Sequence, residues 1–227
     1  MAAERKLSTK GKRAVFVIDD HPIVREGLVQ LINREADLVV CGHAEDAYGA
    51  LKAMESLKPD IAVADISLKG ADGIELIKNL KMRIPDLPVL VLSIHDESLY
   101  APRALRAGAR GYIMKQEATE NVLVALRRVL NGEIYLSERM ANRMLQQLVG
   151  IGSATGRFSV DRLSDRELEV FRLIGQGHGT RRIAEELRLS IKTVESYREH
   201  IKDKMTLHDA SELVQHAIQW VQQEKLR

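Results

Sequence analysis

Five short apolar runs, each breaking off at a polar residue and each followed by apolar positions at helical spacing, constrain this chain more than any other feature. AVFVIDD begins at Ala14, and Pro22 then stands where a helix would start, with Ile23, Val24, Gly27, Leu28, Leu31 and Ile32 on one face. LVVCGHA precedes a helical pattern over Ala47 to Leu57. The run Ile61 to Ala64, bounded by Pro59, ends at Asp65, and Gly70 and Gly73 flank the turn into a helix through Ile74, Leu76, Ile77 and Leu80. PVLVLSIHD ends near Ser93 before helical spacing over Leu99 to Ala107, and ARGYIMK ends at Lys115 before Asn121 to Leu130. Continuous rather than alternating apolar runs mark strands buried on both faces. Strands alternating with helices predict an α/β fold: a doubly wound, five-stranded parallel sheet of flavodoxin-like form with right-handed crossovers.

That architecture places a site. In the strand order 2-1-3-4-5 the connections change direction between strands 1 and 3, and ligands bind at the carboxyl ends of the strands there. Asp19, Asp20 and Asp65 would meet at that edge. Carboxylates a few ångströms apart repel by roughly several kcal/mol per close pair at intermediate dielectric. A divalent cation relieves the repulsion, and all-oxygen ligation with room for water favours Mg2+. Ser93 and Lys115, on neighbouring strand ends, add a hydroxyl and an ammonium. A carboxylate nucleophile, a cation, a hydroxyl and an ammonium suit phosphoryl transfer, which asks mainly for alignment and charge neutralisation.

IDDHPIVREGL, VADISLKGADGIEL, VLSIHDE and ARGYIMK together resemble the receiver domain of two-component response regulators, over about Ala14 to Leu130. The resemblance implies that Asp65 accepts phosphate from a histidine kinase. It further implies that Asp20, Asp65 and the main-chain carbonyl of Ser67 bind Mg2+ with Asp19 assisting through water, that Ser93 and Lys115 hold the phosphoryl oxygens, and that Tyr112 reorients with the switch. A haloacid-dehalogenase-like phosphatase is the rival enzyme reading, since it also uses Asp and Mg2+ in a doubly wound fold. It sets its nucleophile and acid two apart on the first strand, a spacing IDDH lacks.

Residues 1–13 form a basic tail expected to be disordered, and the receiver unit is assigned to 14–132. Pro102 falls within the fourth helical pattern, where it would kink a helix unless the helix starts late, at about Ala101. Residues 133–160 read as a linker with a helix, since Ser137 to Val149 has helical spacing and GIGSATG is rich in glycine and serine. No apolar run approaches the roughly 18–20 residues of a membrane span, and the basic start lacks the apolar core of a secretory signal, so no membrane partner and a cytoplasmic location are expected. The single cysteine, Cys41, excludes an intramolecular disulfide and a cysteine-rich zinc site, and is expected to be a buried structural thiol.

Residues 161–227 read as a small all-α helix-turn-helix domain. Ser164 and Glu167 have capping-box spacing before Leu168, Val170, Phe171 and Ile174. A short helix follows through Ile183, Ala184 and Leu187, then a longer one capped by Ser190, then a fourth over Ala210 to Val221. LSDRE and RRIAEELRLSIKTVESY resemble the LuxR-type DNA-binding domain over about Asp161 to Trp220, and the two resemblances together identify the chain as a response regulator of the NarL/FixJ type. This implies a third helix in the major groove of double-stranded DNA, exposing Lys192, Thr193, Glu195, Ser196, Arg198, Glu199 and Lys202. Arg181, Arg182, Lys192, Thr193 and Lys202 are expected at phosphates, and Glu195, Ser196 and Glu199 at bases. Twelve Lys/Arg against twelve Asp/Glu make residues 161–227 neutral, so attraction of one copy to DNA is modest. A homodimer formed on phosphorylation would double it, with Leu213, Val214, Ile218 and Val221 offering either a dimer face or core. RNA polymerase is a further candidate partner. A receiver whose output helices bind only protein is the second rival.

Overall fold

The computed structural model describes residues 11–68, 73–148 and 160–225. Strands β1 (Arg13–Ile18), β2 (Leu38–Ala44), β3 (Ile61–Ala64), β4 (Val89–Ser93) and β5 (Gly111–Met114) form one parallel sheet in the order β2-β1-β3-β4-β5. Helices α1 (Pro22–Asn33), α2 (Ala47–Leu57), α3 (Gly73–Arg83), α4 (Glu97–Ala107) and α5 (Ala118–Leu130) make the crossovers and the closing element. Alternate strand residues feed opposite faces. Phe16, Ile18, Ala62, Ala64, Val89 and Val91 join the core beneath α2, α3 and α4, while Val15, Val17, Ile61, Val63, Leu90 and Leu92 join that beneath α1 and α5. Both faces being covered accounts for the unbroken apolar runs.

The turn glycine Gly70 lies outside the described residues, but Gly73 has a packing role. A Cβ there would lie 2.1 Å from the Ile66 Cα, directly after Asp65 in the chain. Gly73→Ala is therefore expected to cost about 1–3 kcal/mol, as overpacking does, and to displace the β3–α3 turn. Urea unfolding checks the first effect, and chemical-shift changes confined to the strand ends check the second.

Pro102 does not delay α4. The helix starts at Glu97, capped by the Asp96 side chain accepting from the Ser98 N–H, and runs through Pro102 in its interior. Burial of Tyr100, Ala101, Arg103 and Ala104 on one face outweighs the missing hydrogen bond. Cys41 is only partly buried, and its thiol donates to the Val15 carbonyl at 3.4 Å.

The segment after α5 remains tied to the sheet. The Tyr112 N–H donates to the Tyr135 carbonyl and the Tyr135 N–H to the Arg110 carbonyl. Helix α6 (Glu138–Leu148) follows, with Met140 buried and the Ser137 hydroxyl donating to Glu97 at 2.6 Å. The glycine- and serine-rich stretch GIGSATG lies outside the described residues. The second unit comprises α7 (Asp165–Gly175), α8 (Thr180–Leu187), α9 (Ile191–Met205) and α10 (Ala210–Lys225). Helix α7 packs closely on α10, where a Cβ at Gly175 would lie 2.3 Å from the Ala217 carbonyl oxygen.

Candidate functional site

The crevice is built by strand ends. The Asp65 N–H donates to the Ile18 carbonyl and the Asp19 N–H to the Ala44 carbonyl, so the sheet ladder itself fixes where both acids leave it. Asp65 and Asp19 are each 1% exposed. Lys115, following β5, crosses the end of β4 to place its Nζ 2.7 Å from Asp65 Oδ2 and 2.8 Å from Asp19 Oδ2. Asp65 Oδ1 accepts from the Ser67 N–H at 2.8 Å, and Arg25 donates to the Asp19 carbonyl at 2.6 Å. Burial pushes the Asp65 carboxyl above the ordinary carboxylate range, against the opposing pull of Lys115. Burial also works to lower the Lys115 ammonium, but its bonds to Asp19 and Asp65 outweigh that and hold it above the usual lysine value.

One donor atom from each of Asp19, Asp20, His21 and Asp65 lies within 4.8 Å of the others. Carboxylate oxygens at that separation fit a hard divalent cation. Nearby, the Ser67 Oγ is buried without a hydrogen-bond partner among the described residues. The acids, the serine and the lysine singled out in the sequence thus lie along one sheet edge.

Ser93 and Tyr112 meet at the loop after β4. Ser93 is fully buried, and its Oγ accepts from the His95 N–H at 3.0 Å. Tyr112 is 1% exposed, and its hydroxyl donates to the His95 carbonyl at 2.8 Å. The His95 ring stacks on Tyr100 at 4.6 Å. Burial, with Arg172 and Lys115 adding to it, lowers the His95 pKa to about 3, so the ring is neutral at physiological pH.

From that loop α4 leads to the second unit. Arg103, 6% exposed, donates to the carbonyls of Leu163 (2.8 Å) and Val160 (3.1 Å) and to Asp165 Oδ1 (3.1 Å). Lys78 of α3 reaches Asp165 Oδ2 at 3.0 Å. A cavity of about 380 Å3 lies between the units, bordered by Ser67, His95 and Tyr100 on one side and Leu168 and Arg172 on the other. Sequence reading passed over His21, His95 and Arg103. His21 and His95 each sit within two residues of an expected site residue, a signal that was present. Arg103 carried none, because its partners lie some sixty residues away.

In the helical unit Ser164 and Glu167 form the expected capping box at the start of α7. Glu167 is 3% exposed and also takes Lys204 at 2.6 Å. Burial works to raise its pKa, but the bonds from Lys204 and Ser164 outweigh it and hold the carboxyl below the ordinary value. Its contribution is therefore full above the unfolded glutamate pKa of about 4.3 and is lost as pH falls through the lower folded value. Glu167→Ala is expected to destabilise the unit by about 1–3 kcal/mol at pH 7, with the difference from the parent shrinking below pH 4 in denaturant titrations.

Ser190 caps α9 by accepting from the Thr193 N–H, and its hydroxyl lies 2.7 Å from that of Thr193. Lys192, Glu195, Ser196 and Glu199 are exposed, Thr193 and Arg198 partly so; Arg181 and Arg182 are exposed on α8. Lys202 does not project freely as expected, because its ammonium folds back onto Glu199 at 2.8 Å. The α10 residues divide: Leu213 and Val221 are core, whereas Val214 and Ile218 are both 36% exposed. None of the described helices is long and apolar enough to cross a membrane.

A buried acid pocket with a lysine at the switch point of a 2-1-3-4-5 sheet, joined to a small helical unit, defines a two-unit class of α/β plus all-α protein. The response regulator receiver domain family matches residues 15–127, and the family of bacterial regulatory proteins of the luxR type matches 161–217. The oxygen regulatory protein NreC of Staphylococcus epidermidis is 32% identical over 211 residues, and that of Staphylococcus aureus 33% over 210, each match covering 90% of this chain and 96% of the relative. Salmonella enterica serovar Typhimurium RcsB, solved on the rprA promoter with the phosphomimetic BeF3-, superposes with a TM-score of 0.65 at 27% identity over 91% of this chain and 98% of that one. The chain belongs to the two-component response regulators of the NarL/FixJ type, which are transcription regulators and not enzymes.

Proposed function

We propose that phosphate on Asp65, taken from a histidine kinase, controls promoter binding by the helix-turn-helix unit of this chain as a homodimer. The observation that carries the reading is the Asp19–Lys115–Asp65 ion cluster on the sheet edge, coupled within one chain to an exposed α9. Asp20, Asp65 and the Ser67 carbonyl would hold Mg2+, with Asp19 assisting through water. The ion would neutralise charge on the transferring group. An Asp65 carboxylate oxygen attacks phosphorus, the bond to the donor's imidazole nitrogen breaks, and the nitrogen leaves with the electron pair. Lys115 and the Ser93 hydroxyl then bind the phosphoryl oxygens.

The signal has a continuous route outward. Drawing Ser93 toward the phosphoryl group disturbs its bond with the His95 N–H, and His95 is in turn held by Tyr112 and stacked on Tyr100. One turn along α4, Arg103 holds the output unit through Asp165, Leu163 and Val160. Moving such a two-state equilibrium from 1:99 to 99:1 needs about 5.5 kcal/mol of differential stabilisation. Loosening a buried arginine clamp is an interaction of that order. The docked output unit already exposes α9, so phosphorylation acts by freeing the unit to pair with a second copy, with Val214 and Ile218 the exposed apolar positions on α10.

Gel shifts on a bound promoter fragment test the groove assignment. Lys192→Ala should weaken binding about equally on every sequence and reduce the salt slope by about 1. Glu195→Ala should instead alter preference at C·G pairs, since glutamate accepts from cytosine N4. Unchanged affinity and preference in both variants would place the DNA interface elsewhere, and undiminished binding by a chain confined to monomers would remove the dimer.

A further inference from the structure

We propose that His21 is an additional ligand of the cation site, and that its nitrogen makes the site take first-row transition-metal ions in preference to Mg2+; this rests on the reading of the acid pocket as a cation site. His21 occupies the N-cap position of α1, yet its side chain makes no capping hydrogen bond. The ring turns the other way, toward the acids. Its Nδ1 lies 2.8 Å from Asp20 Oδ1, 3.3 Å from Asp19 Oδ1 and 3.9 Å from Asp65 Oδ2. The main chain fixes its base, because the His21 N–H donates to Asp19 Oδ1 at 2.8 Å and Pro22 follows as the first residue of the helix.

The alternative duty, supplying positive charge to the acids, already falls to Lys115, which contacts Asp65 Oδ2 and Asp19 Oδ2. His21 approaches chiefly the Oδ1 atoms of Asp20 and Asp19, at 2.8 and 3.3 Å, and lies farther, at 3.9 Å, from the Asp65 Oδ2 that Lys115 holds. Its side chain is 53% exposed, so the ring can shift by the small distance that ligation needs without disturbing a packed core. Chemically the addition changes the class of the site. Carboxylates, carbonyls and water suit Mg2+, whereas imidazole adds affinity for Mn2+, Fe2+, Co2+ and Ni2+ in rising order. The phosphoacceptor would then be loaded according to which divalent ion is available, and by a transition metal wherever one is present at comparable concentration.

Full-length protein and the His21→Asn variant are compared in two measurements. Pulsed EPR of bound Mn2+ should show directly coordinated 14N in the parent and none in the variant. In Ni2+ titrations competed with Mg2+, the variant should lose at least about tenfold in Ni2+ affinity while its Mg2+ affinity stays within threefold. Absence of nitrogen coupling in the parent, or equal Ni2+ affinity in the two proteins, overturns the role of His21 while leaving an oxygen-ligated Mg2+ site intact. Failure of the parent to bind any of Mn2+, Ni2+ or Mg2+ at this cluster overturns the cation site itself.

Discussion

Full-length protein incubated with an acyl phosphate and Mg2+ is expected to take up one phosphoryl group per chain, and the Asp65→Ala variant none. Three features of the pocket make this an all-or-none effect. Asp65 stands at the end of β3, the central strand of the sheet, with the Lys115 ammonium directed at Oδ2 and the Ser67 N–H at Oδ1. Asp19 is tied to the same lysine and to the His21 N–H, and its place next to β1 sets it beside the acceptor, not in its position. Removing the Asp65 carboxylate also leaves Lys115 with Asp19 as its one acid partner among the described residues. A milder change acts through charge. Burial pushes Asp65 upward and Lys115 opposes it, so Lys115→Ala should leave a less readily ionised acceptor that labels slowly and gains most from raised pH. Undiminished labelling of Asp65→Ala would refute the acceptor assignment.

The second large effect is expected from Arg103→Ala, which should undock the output unit while both units stay folded. A guanidinium that is 6% exposed and bonded to two carbonyls and a carboxylate is not a surface ion pair of negligible worth. Breaking a buried pair on one side typically costs about 3–5 kcal/mol. Here the partners lie on the two sides of the interface, so the loss falls on docking and not on either core. Small-angle scattering should report a larger radius of gyration, and thermal unfolding should separate into two transitions. Lys78→Ala should do the same more weakly, since Lys78 is 41% exposed and shares itself between Glu75 and Asp165. A scattering curve for Arg103→Ala superimposable on that of the parent would contradict the clamp.

The sheet and its acid edge were legible because burial on both faces writes itself as continuous apolar runs, and because parallel strands all deliver their ends to one edge. Asp19, Asp65, Ser93 and Lys115 needed nothing more. Pro102 sits inside α4 against its local propensity, because the helix is held by its buried Tyr100, Ala101 and Ala104. Arg103 was invisible for the same reason in reverse: a solvated arginine and a buried clamp look identical without the partner at Asp165. Beyond its place next to Asp20, nothing in the sequence marks His21 ahead of Pro22, because only the structure shows that its ring turns toward Asp20 and does not cap α1. Lys202 shows what spacing leaves out on α9, where its i,i+3 neighbour Glu199 takes its ammonium in the unbound chain.

Selection of bound DNA from a random pool, run with and without acyl phosphate on the parent chain and on Asp65→Ala, tests the phosphorylation switch most directly. Only the parent with acyl phosphate is expected to enrich a sequence, one carrying two half-sites about one helical turn, roughly 10 base pairs, apart. Enrichment of the same sites by Asp65→Ala, or by the parent equally in the absence of phosphate donor, would contradict it.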